Sequence, residues 1–420
     1  MSVPKLRFKE FDGDWNKSKI SDATEYLVDG THFSPKSTGG EFKYITSKNI
    51  RNEGLDLNNI SYISKDEHES IFKRCKVQFG DILLTKDGAN TGNCCLNTLN
   101  EEFSLLSSVA VLRGKKETFD NRFMLQIFQS DLGQNTILSS MAGQAISRIT
   151  LAKLKNYSFN FPQFDEQTKI ASFLSAVDEK ISQLTQKHEL LSQYKQGMMQ
   201  KLFSQQIRFK ADDGSEFGEW EEVKFSDIFN FHQTNSYSRA LLAEYGEIMN
   251  IHYGDIHTKF SMLFDVNKES VPFLNDEVDT SKIAKEQFLK VGDLVIADAS
   301  EDYKDIGKSI EVISLNNQKV VAGLHTYIAR PVKPFALGFC GYMMQTFPVR
   351  EQIKKLATGI SVLGISKSNL GKVELSIPCL EEQTKIAKFL SSIDQKIEVV
   401  AQQIELAKQW KKGLLQQMFV

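Results

Sequence analysis

Three short stretches of the chain hold residue types that could do chemistry. IGKS at Ile306–Ser309 ends like a phosphate-binding loop, in which backbone amides and a lysine cradle an anion. The full pattern G-x-x-x-x-G-K-S needs an opening glycine, and Asp302 stands in its place. His252 and His257 flank Asp255, residue types that ligate zinc, but a metal site needs a further ligand and converging geometry. The two histidines read instead as polar loop residues that hydrogen-bond a ligand or solvent. Cys94 and Cys95 are adjacent and cannot chelate as a C-x-x-C pair would, so they read as packing. None of the three stretches makes a catalytic constellation, and the polar loops are better read as a binding surface.

The elements that must position those loops are written twice. PQFDEQTKIASFL begins at Pro162 and PCLEEQTKIAKFL at Pro378, and the 216-residue offset continues without a gap to Phe203 and Phe419. About half of the aligned positions are identical, an internal repeat whose period is far too long for a solenoid. Within it the apolar residues form two heptad columns. The first copy holds Ile170, Val177, Leu184, Leu191 and Met198, then Leu174, Ile181, His188, Lys195 and Leu202. The second holds Ile386, Ile393, Val400, Ala407 and Leu414, then Leu390, Ile397, Ile404, Lys411 and Met418. Apolar a and d positions kept for about five heptads predict a coiled coil. At about 1.5 Å per residue each helix would span roughly 55–60 Å. An amphipathic stripe this long needs a partner, and its own copy is at hand. A pseudo-twofold relation between two half-chains favours an antiparallel pair.

His188 reads either as a register-setting polar residue or as a helix-edge histidine. Lys195 and Lys411 could complement the helix dipole, contact a partner or be solvated. Glu166, Gln167, Glu382 and Gln383 read as helix starters. Asp178 and Asp394 lie outside both columns and are expected to face away from the seam, toward a partner or solvent.

Residues 1–161 and 207–377 look like two versions of one module. RFK occurs at Arg7–Lys9 and Arg208–Lys210, and Trp15 with Ser21-Asp22 matches Trp220 with Ser226-Asp227. Each carries a Gly-Asp turn into an apolar strand, GDILLT from Gly80 and GDLVIA from Gly292. Short β-rich runs alternate with helical stretches, which predicts a mixed α/β domain of the α+β class in each half. The loops diverge: KDGANTGNC (Lys86–Cys94) is replaced by DASEDYKDIGKS (Asp298–Ser309), and SKNIRNEG (Ser47–Gly54) by YGDIHTKF (Tyr253–Phe260). A kept frame with different polar loops is the pattern of two readers of two ligands.

The 420 residues allow two or three domains, each with its own core, and 41% hydrophobic with 25% charged residues is ordinary globular composition. No apolar run is long enough for a membrane span, and the N-terminus lacks the apolar core of a signal peptide. Five scattered cysteines suggest free thiols in a reducing cytoplasm. A net charge of −2 argues against coating nucleic acid by bulk attraction but leaves room for a local basic cleft.

Two variable modules, each followed by a P-x-x-E-Q-x-x-I-A-x-x-L-x-x-(I/V)-D helix, resemble the specificity subunit of type I restriction–modification enzymes. The matching residues are Pro162, Glu166, Gln167, Ile170, Ala171, Leu174, Val177 and Asp178, then Pro378, Glu382, Gln383, Ile386, Ala387, Leu390, Ile393 and Asp394. The resemblance covers the whole chain. It implies two target recognition domains, 1–161 and 207–377, each reading half of a bipartite, asymmetric site in double-stranded DNA. The helices at 162–206 and 378–420 would form the antiparallel spacer that fixes the gap between the halves. The chain would do no chemistry and hold no cofactor. It would recruit two methyltransferase subunits, which use S-adenosylmethionine, and two motor/nuclease subunits, which use ATP and Mg. The chain itself has no N-P-P-F-type methylase tetrapeptide, no glycine-rich S-adenosylmethionine loop and no P-D…E-x-K nuclease arrangement. The competing reading is a coiled-coil scaffold or silent cassette that binds no DNA.

Candidate contacts follow from residue type and loop position, because Arg and Lys reach guanine edges or phosphates and Asn and Gln pair with adenine. In the first module they are Lys48, Arg51, Lys86, Asn90, Gln144, Ser147 and Arg148. In the second they are His252, Tyr253, His257, Lys259, Tyr303, Lys304, Lys308, Ser361, Ser366 and Lys367. The glycine-led loops after Gly143 and Gly359 would let the backbone approach a duplex closely.

Overall fold

The computed structural model describes residues 4–37, 39–141 and 148–419. The chain divides into two compact units, one built from residues 1–188 and 400–420, the other from residues 189–399.

In the first unit a four-stranded antiparallel sheet runs in the order Thr24–Asp29, Val109–Gly114, Ile82–Thr85, Cys94–Leu96. A smaller sheet joins Ser61–Ile63, Phe42–Ile45 and Ser104–Leu105, and Asn16–Lys19 pairs with Ser158–Phe161. The ILLT strand is buried on both faces: Ile82 and Leu84 pack in one core, Leu83 in another. Alternate residues of a strand point to opposite faces, so a strand covered on both reads as a continuous apolar run. Cys94 and Cys95 divide between the two cores in the same way. Burial pushes the Cys95 thiol up to about 12, which makes it packing material.

The second unit repeats the plan with more strands. Its five-stranded sheet runs Phe229–His232, Thr326–Pro331, Leu294–Ala297, Ser309–Ser314, Leu263–Asp265, the last pair parallel. A four-stranded sheet holds Leu242–Ala243, Phe273–Leu274, Ile248–Ile251 and Lys319–Ala322, and Glu221–Lys224 pairs with Glu374–Ile377. Each unit is therefore mixed α/β with largely antiparallel sheets.

The Gly-Asp turns are structural. Asp81 accepts the Gln78 amide at 2.7 Å and a bidentate pair from Arg113 at 2.7 and 2.8 Å. Asp293 does the same with the Lys290 amide and Arg330. Both carboxylates are buried, and a fork of two charge-assisted bonds compensates that burial.

The long helices run Phe164–Phe203 and Leu380–Met418. Seam residues of both belong to the cores of the two units. Ile170, Leu174 and Val177 belong to the first unit's core with Phe123, Phe159 and Phe161, and Ile181 packs against it. Ile386, Leu390 and Ile393 belong to the second unit's core with Trp220 and Phe339, and Ile397 packs against it. Leu184, Val400 and Ile404 are buried and Leu191 is half-buried. The first unit uses the start of the first long helix and, with Leu414, Leu415, Met418 and Phe419, the end of the second. The second unit uses the start of the second and, with Leu202, the end of the first.

Two expectations about polar residues on these helices are corrected. Asp178 does not face away: it pairs with Lys411 at 2.6 Å and accepts from Gln126 at 3.0 Å. Asp394 likewise pairs with Lys195 at 2.5 Å and accepts from Tyr342 at 2.7 Å. The lysines in the later turns of each heptad column thus find carboxylates. Glu166 and Glu382 are more than helix starters. Each is buried and takes a bidentate pair, from Arg7 at 2.7 Å and from Arg208 at 3.1 and 2.7 Å, tying the lead-in of each half to its helix. Among the described residues no helix is long and apolar enough to cross a membrane.

Candidate nucleic-acid interface

In the first unit two loops and one strand end converge. Thr46 caps the turn Ser47–Asn49, accepting the Lys48 amide, while the Asn49 side chain accepts the Thr46 amide at 3.0 Å. Lys48 is left exposed on that turn, and Arg51 lies 3.7 Å from Asp56. Asn90 donates to the Ser47 carbonyl at 3.4 Å, which fastens the second loop to the first. Arg148 bridges back to Asp87 at 3.7 Å and stays exposed. Lys48, Arg51, Asn90 and Arg148 are thus brought to neighbouring loops.

Lys86 is not a surface residue. It is 2% exposed and its Nζ sits 2.8 Å from Asp29. Its backbone joins the Ser108 carbonyl and the Ile149 amide, so it supports the loops from below. Gln144 and Ser147 lie outside the described residues.

In the second unit the neighbourhood is different. His252 is buried and caps the helix Tyr253–Thr258, its Nδ1 accepting the Gly254 amide at 3.1 Å. Burial and the adjacent Arg239 hold its pKa below the ordinary histidine value, so it stays neutral and is a cap. His257 points elsewhere, donating from Nε2 to the Ala299 carbonyl at 2.9 Å, so the two histidines share no ligand position. Lys259 and Arg239 both pair with the buried Asp255, at 3.1 and 3.0 Å.

Lys308 donates to the His257 carbonyl at 2.7 Å. The IGKS stretch cannot act as a phosphate loop. The carbonyls of Lys304, Ile306 and Gly307 all accept from the buried Arg350 guanidinium, so the segment wraps a cation rather than offering amides to an anion. Tyr303 and Lys304 are exposed. Lys304 also lines a separate groove of about 810 Å³, beside residues 192–204 and 345–354.

Around the end of the strand Leu294–Ala297 the remaining candidates gather. A cleft of about 410 Å³ is lined by Asp298, His325, Tyr327, Ser366 and, from the turn Thr358–Gly364, Thr358, Val362, Leu363 and Gly364. Asp298 and His325 pair at 3.1 Å. Tyr253 packs edge-on against both His325 and His257. Ser366 caps the short helix Lys367–Leu370, and Lys367 lies over the rings of Tyr327 and Phe231 at 5.2 and 6.0 Å. Ser361 is exposed on the turn beside them. The arrangement offers imidazole, hydroxyl, carboxylate and ammonium groups along one concave edge, the set that reads base edges and phosphates.

Sequence reasoning missed His325, Asp298 and Tyr327. The one available signal was His325 after Gly323 at the head of a strand; it adopts φ +57°, the left-handed region, which aims its ring at Asp298.

Comparison with known proteins places this architecture. The family described as type I restriction modification DNA specificity domain matches residues 12–193 and again 218–409. A curated relative from Methanocaldococcus jannaschii, the type I restriction enzyme MjaVIII specificity subunit, is 25% identical over 97% of this chain and 94% of its own length. The putative type I restriction enzyme MjaX specificity subunit of the same organism is 23% identical over 98% and 94%. The crystal structure of a type I restriction–modification S subunit from M. genitalium superposes with a TM-score of 0.59, at 15% identity over 100% of this chain and 99% of that one. The chain belongs to the type I restriction–modification DNA specificity family, whose specificity subunits are non-catalytic.

Proposed function

We propose that this chain reads a split DNA sequence for a type I restriction–modification complex, residues 1–161 binding one half-site and 207–377 the other. The observation that carries the reading is the duplicated frame with different side chains at the same strand end. Lys86 and Asp298 follow equivalent strands, and the loops around them share almost no residues. Two such surfaces on one chain recognise two different sequences, so the site is non-palindromic.

The long helices, in this reading, pair antiparallel as a spacer and set the number of unread base pairs. The chain binds two methyltransferase subunits, which bring S-adenosylmethionine. Two motor/nuclease subunits, with ATP and Mg, complete the restriction complex. The chain itself supplies no cofactor.

The test is a genome-wide adenine-methylation map in a methylation-free host expressing this chain with its cognate methyltransferase. One split motif with a fixed gap is expected. A chimera replacing 207–377 with the equivalent module of another specificity subunit should change one half of that motif and keep the other. A soluble, assembled complex that methylates nothing would favour a silent scaffold instead.

A further inference from the structure

The turn Thr358–Gly364 carries an apolar residue in an unusual place. Ile360 is fully exposed and Val362 is 55% exposed. An isolated exposed leucine or isoleucine on a mobile loop needs no explanation. This turn, however, is pinned. Thr358 and Gly364 exchange both backbone hydrogen bonds, at 2.9 and 2.7 Å. Gly364 and Leu363 also pair with Ala299 and Ser300, and the Ile365 amide donates to the Asp298 carbonyl at 2.9 Å. Gly359 takes φ +124°, and a Cβ there would lie 2.1 Å from the Val362 carbonyl oxygen, so only glycine fits. The fold fixes a backbone to hold a β-branched side chain out in solvent.

Two residues further along the same turn, Val362 lines the cleft formed by Asp298, His325 and Ser366. A surface that sets hydrogen-bonding groups beside an exposed aliphatic one matches the major groove. There, base edges offer donors and acceptors, and thymine alone adds a methyl group. The minor groove offers no methyl. In the sequence, Gly143-Gln144 occupies the place of Gly359-Ile360. One copy of the repeat thus writes a polar residue after the glycine where the other writes an aliphatic one.

We propose that Ile360, supported by Val362, contacts the C5-methyl of a thymine in the half-site read by residues 207–377, and is a specificity-determining residue of this chain. The inference rests on the DNA-reading function proposed above and names one base that it selects.

The experiment uses the full chain assembled with its methyltransferase and duplexes carrying the mapped site. Each thymine of that half-site is replaced singly by deoxyuridine, which removes only the methyl. At one position the wild-type complex should lose about tenfold in affinity, the low end for one methyl group in an apolar contact. Ile360→Ala should bind the thymine duplex that much more weakly and be indifferent to deoxyuridine at that position. Because Ile360 is fully exposed, the variant should melt with the wild type. Indifference of the wild type to every deoxyuridine, or an unchanged penalty in Ile360→Ala, would overturn the proposal. So would unstacking at the contacted step, reported by 2-aminopurine, because that would make Ile360 a wedge. Absence of salt-dependent binding to any duplex would instead overturn the DNA-reading function, and this inference with it.

Discussion

In the first unit the strand Ile82–Thr85 ends on Lys86, buried against Asp29; in the second the equivalent strand Leu294–Ala297 ends on Asp298, paired with the half-exposed His325. The frame around these positions is the same, down to the buried Asp81–Arg113 and Asp293–Arg330 forks. What differs is the sign of the charge and its distance from water. A scaffold that tolerates such an exchange at one position has its stability elsewhere, in the strands and forks, and leaves the strand end free to vary with what it reads.

Breaking the two pairs should show how unequal they are. Lys86→Met would strand the Asp29 carboxylate, whose other ion-pair partner His32 is 64% exposed, and should cost the first unit about 4 kcal/mol. Asp298→Ala removes half of a wetter pair and should cost the second unit less than about 1 kcal/mol. Hydrogen exchange of residues 82–85 and 294–297 reads the two effects separately. Equal losses would mean that Asp298 is as structural as Lys86 and would take it out of the reading surface.

A second contrast lies in how each unit caps an equivalent helix. Asp120 accepts the Arg122 and Phe123 amides at the start of Asn121–Gln129. The residue 216 positions on is Ala336, and the second unit's helix begins later, at Phe339–Met344 with Gly338 as its N-cap, which has no side chain to accept. The cap comes instead from the neighbouring strand: Glu311 accepts the Gly338 and Gly341 amides at 2.7 and 2.6 Å. Its register partner in the first unit is the apolar Leu96, since both stand opposite the first residue of the GD strand. Glu311→Leu should therefore cost the second unit about 2 kcal/mol in urea unfolding. A loss near zero would show that packing, not this cap, holds the start of the helix.

The same carboxylate carries a pH signature. Desolvation pushes Glu311 up to about 7, against the pull of the Gly341, Gly338 and Cys340 amides. Its folded pKa stands above the ordinary 4.5, so the folded state holds the extra proton. The stabilisation is complete below 4.5 and is lost as pH rises through about 7. Thermal melts between pH 4.5 and 7.5 should show the second unit weakening with rising pH, and Glu311→Leu should flatten that slope.

The frame was largely legible in the sequence, because periodicity and repetition are local signals. The heptads that begin at Ile170 and Ile386 lie on unbroken helices, and the GD runs are strands. The tertiary partners were not legible. Arg113 lies 32 residues beyond Asp81 and Arg330 lies 37 beyond Asp293, so a turn motif hid a buried fork. Asp178 and Asp394 stood outside the apolar columns, and nothing local says that a lysine on the other helix will reach them. At the candidate interface, residue type could not separate Lys48, which is exposed, from Lys86, which is buried. Exposure depends on what packs from another element, here Asp29.

The smallest contrast concerns the two tryptophans of the repeated lead-ins. Trp220 donates from Nε1 to the buried Glu382 at 3.1 Å, adding a third bond to the two from Arg208. The Trp15 Nε1 is buried with no hydrogen-bond partner among the described residues, and Glu166 relies on Arg7. Both rings pack edge-on against phenylalanines, Trp15 on Phe123 and Trp220 on Phe203, so replacement by Phe removes similar apolar area in each. The difference between the variants then isolates the bond. Trp220→Phe loses one bond to a charged acceptor and should cost about 1 kcal/mol more than Trp15→Phe, which discards an unpaired donor. A chemical-denaturation midpoint for each variant decides it. If Trp15→Phe proves the costlier, its indole N–H has a bound water that satisfies it, and the two lead-ins are anchored alike.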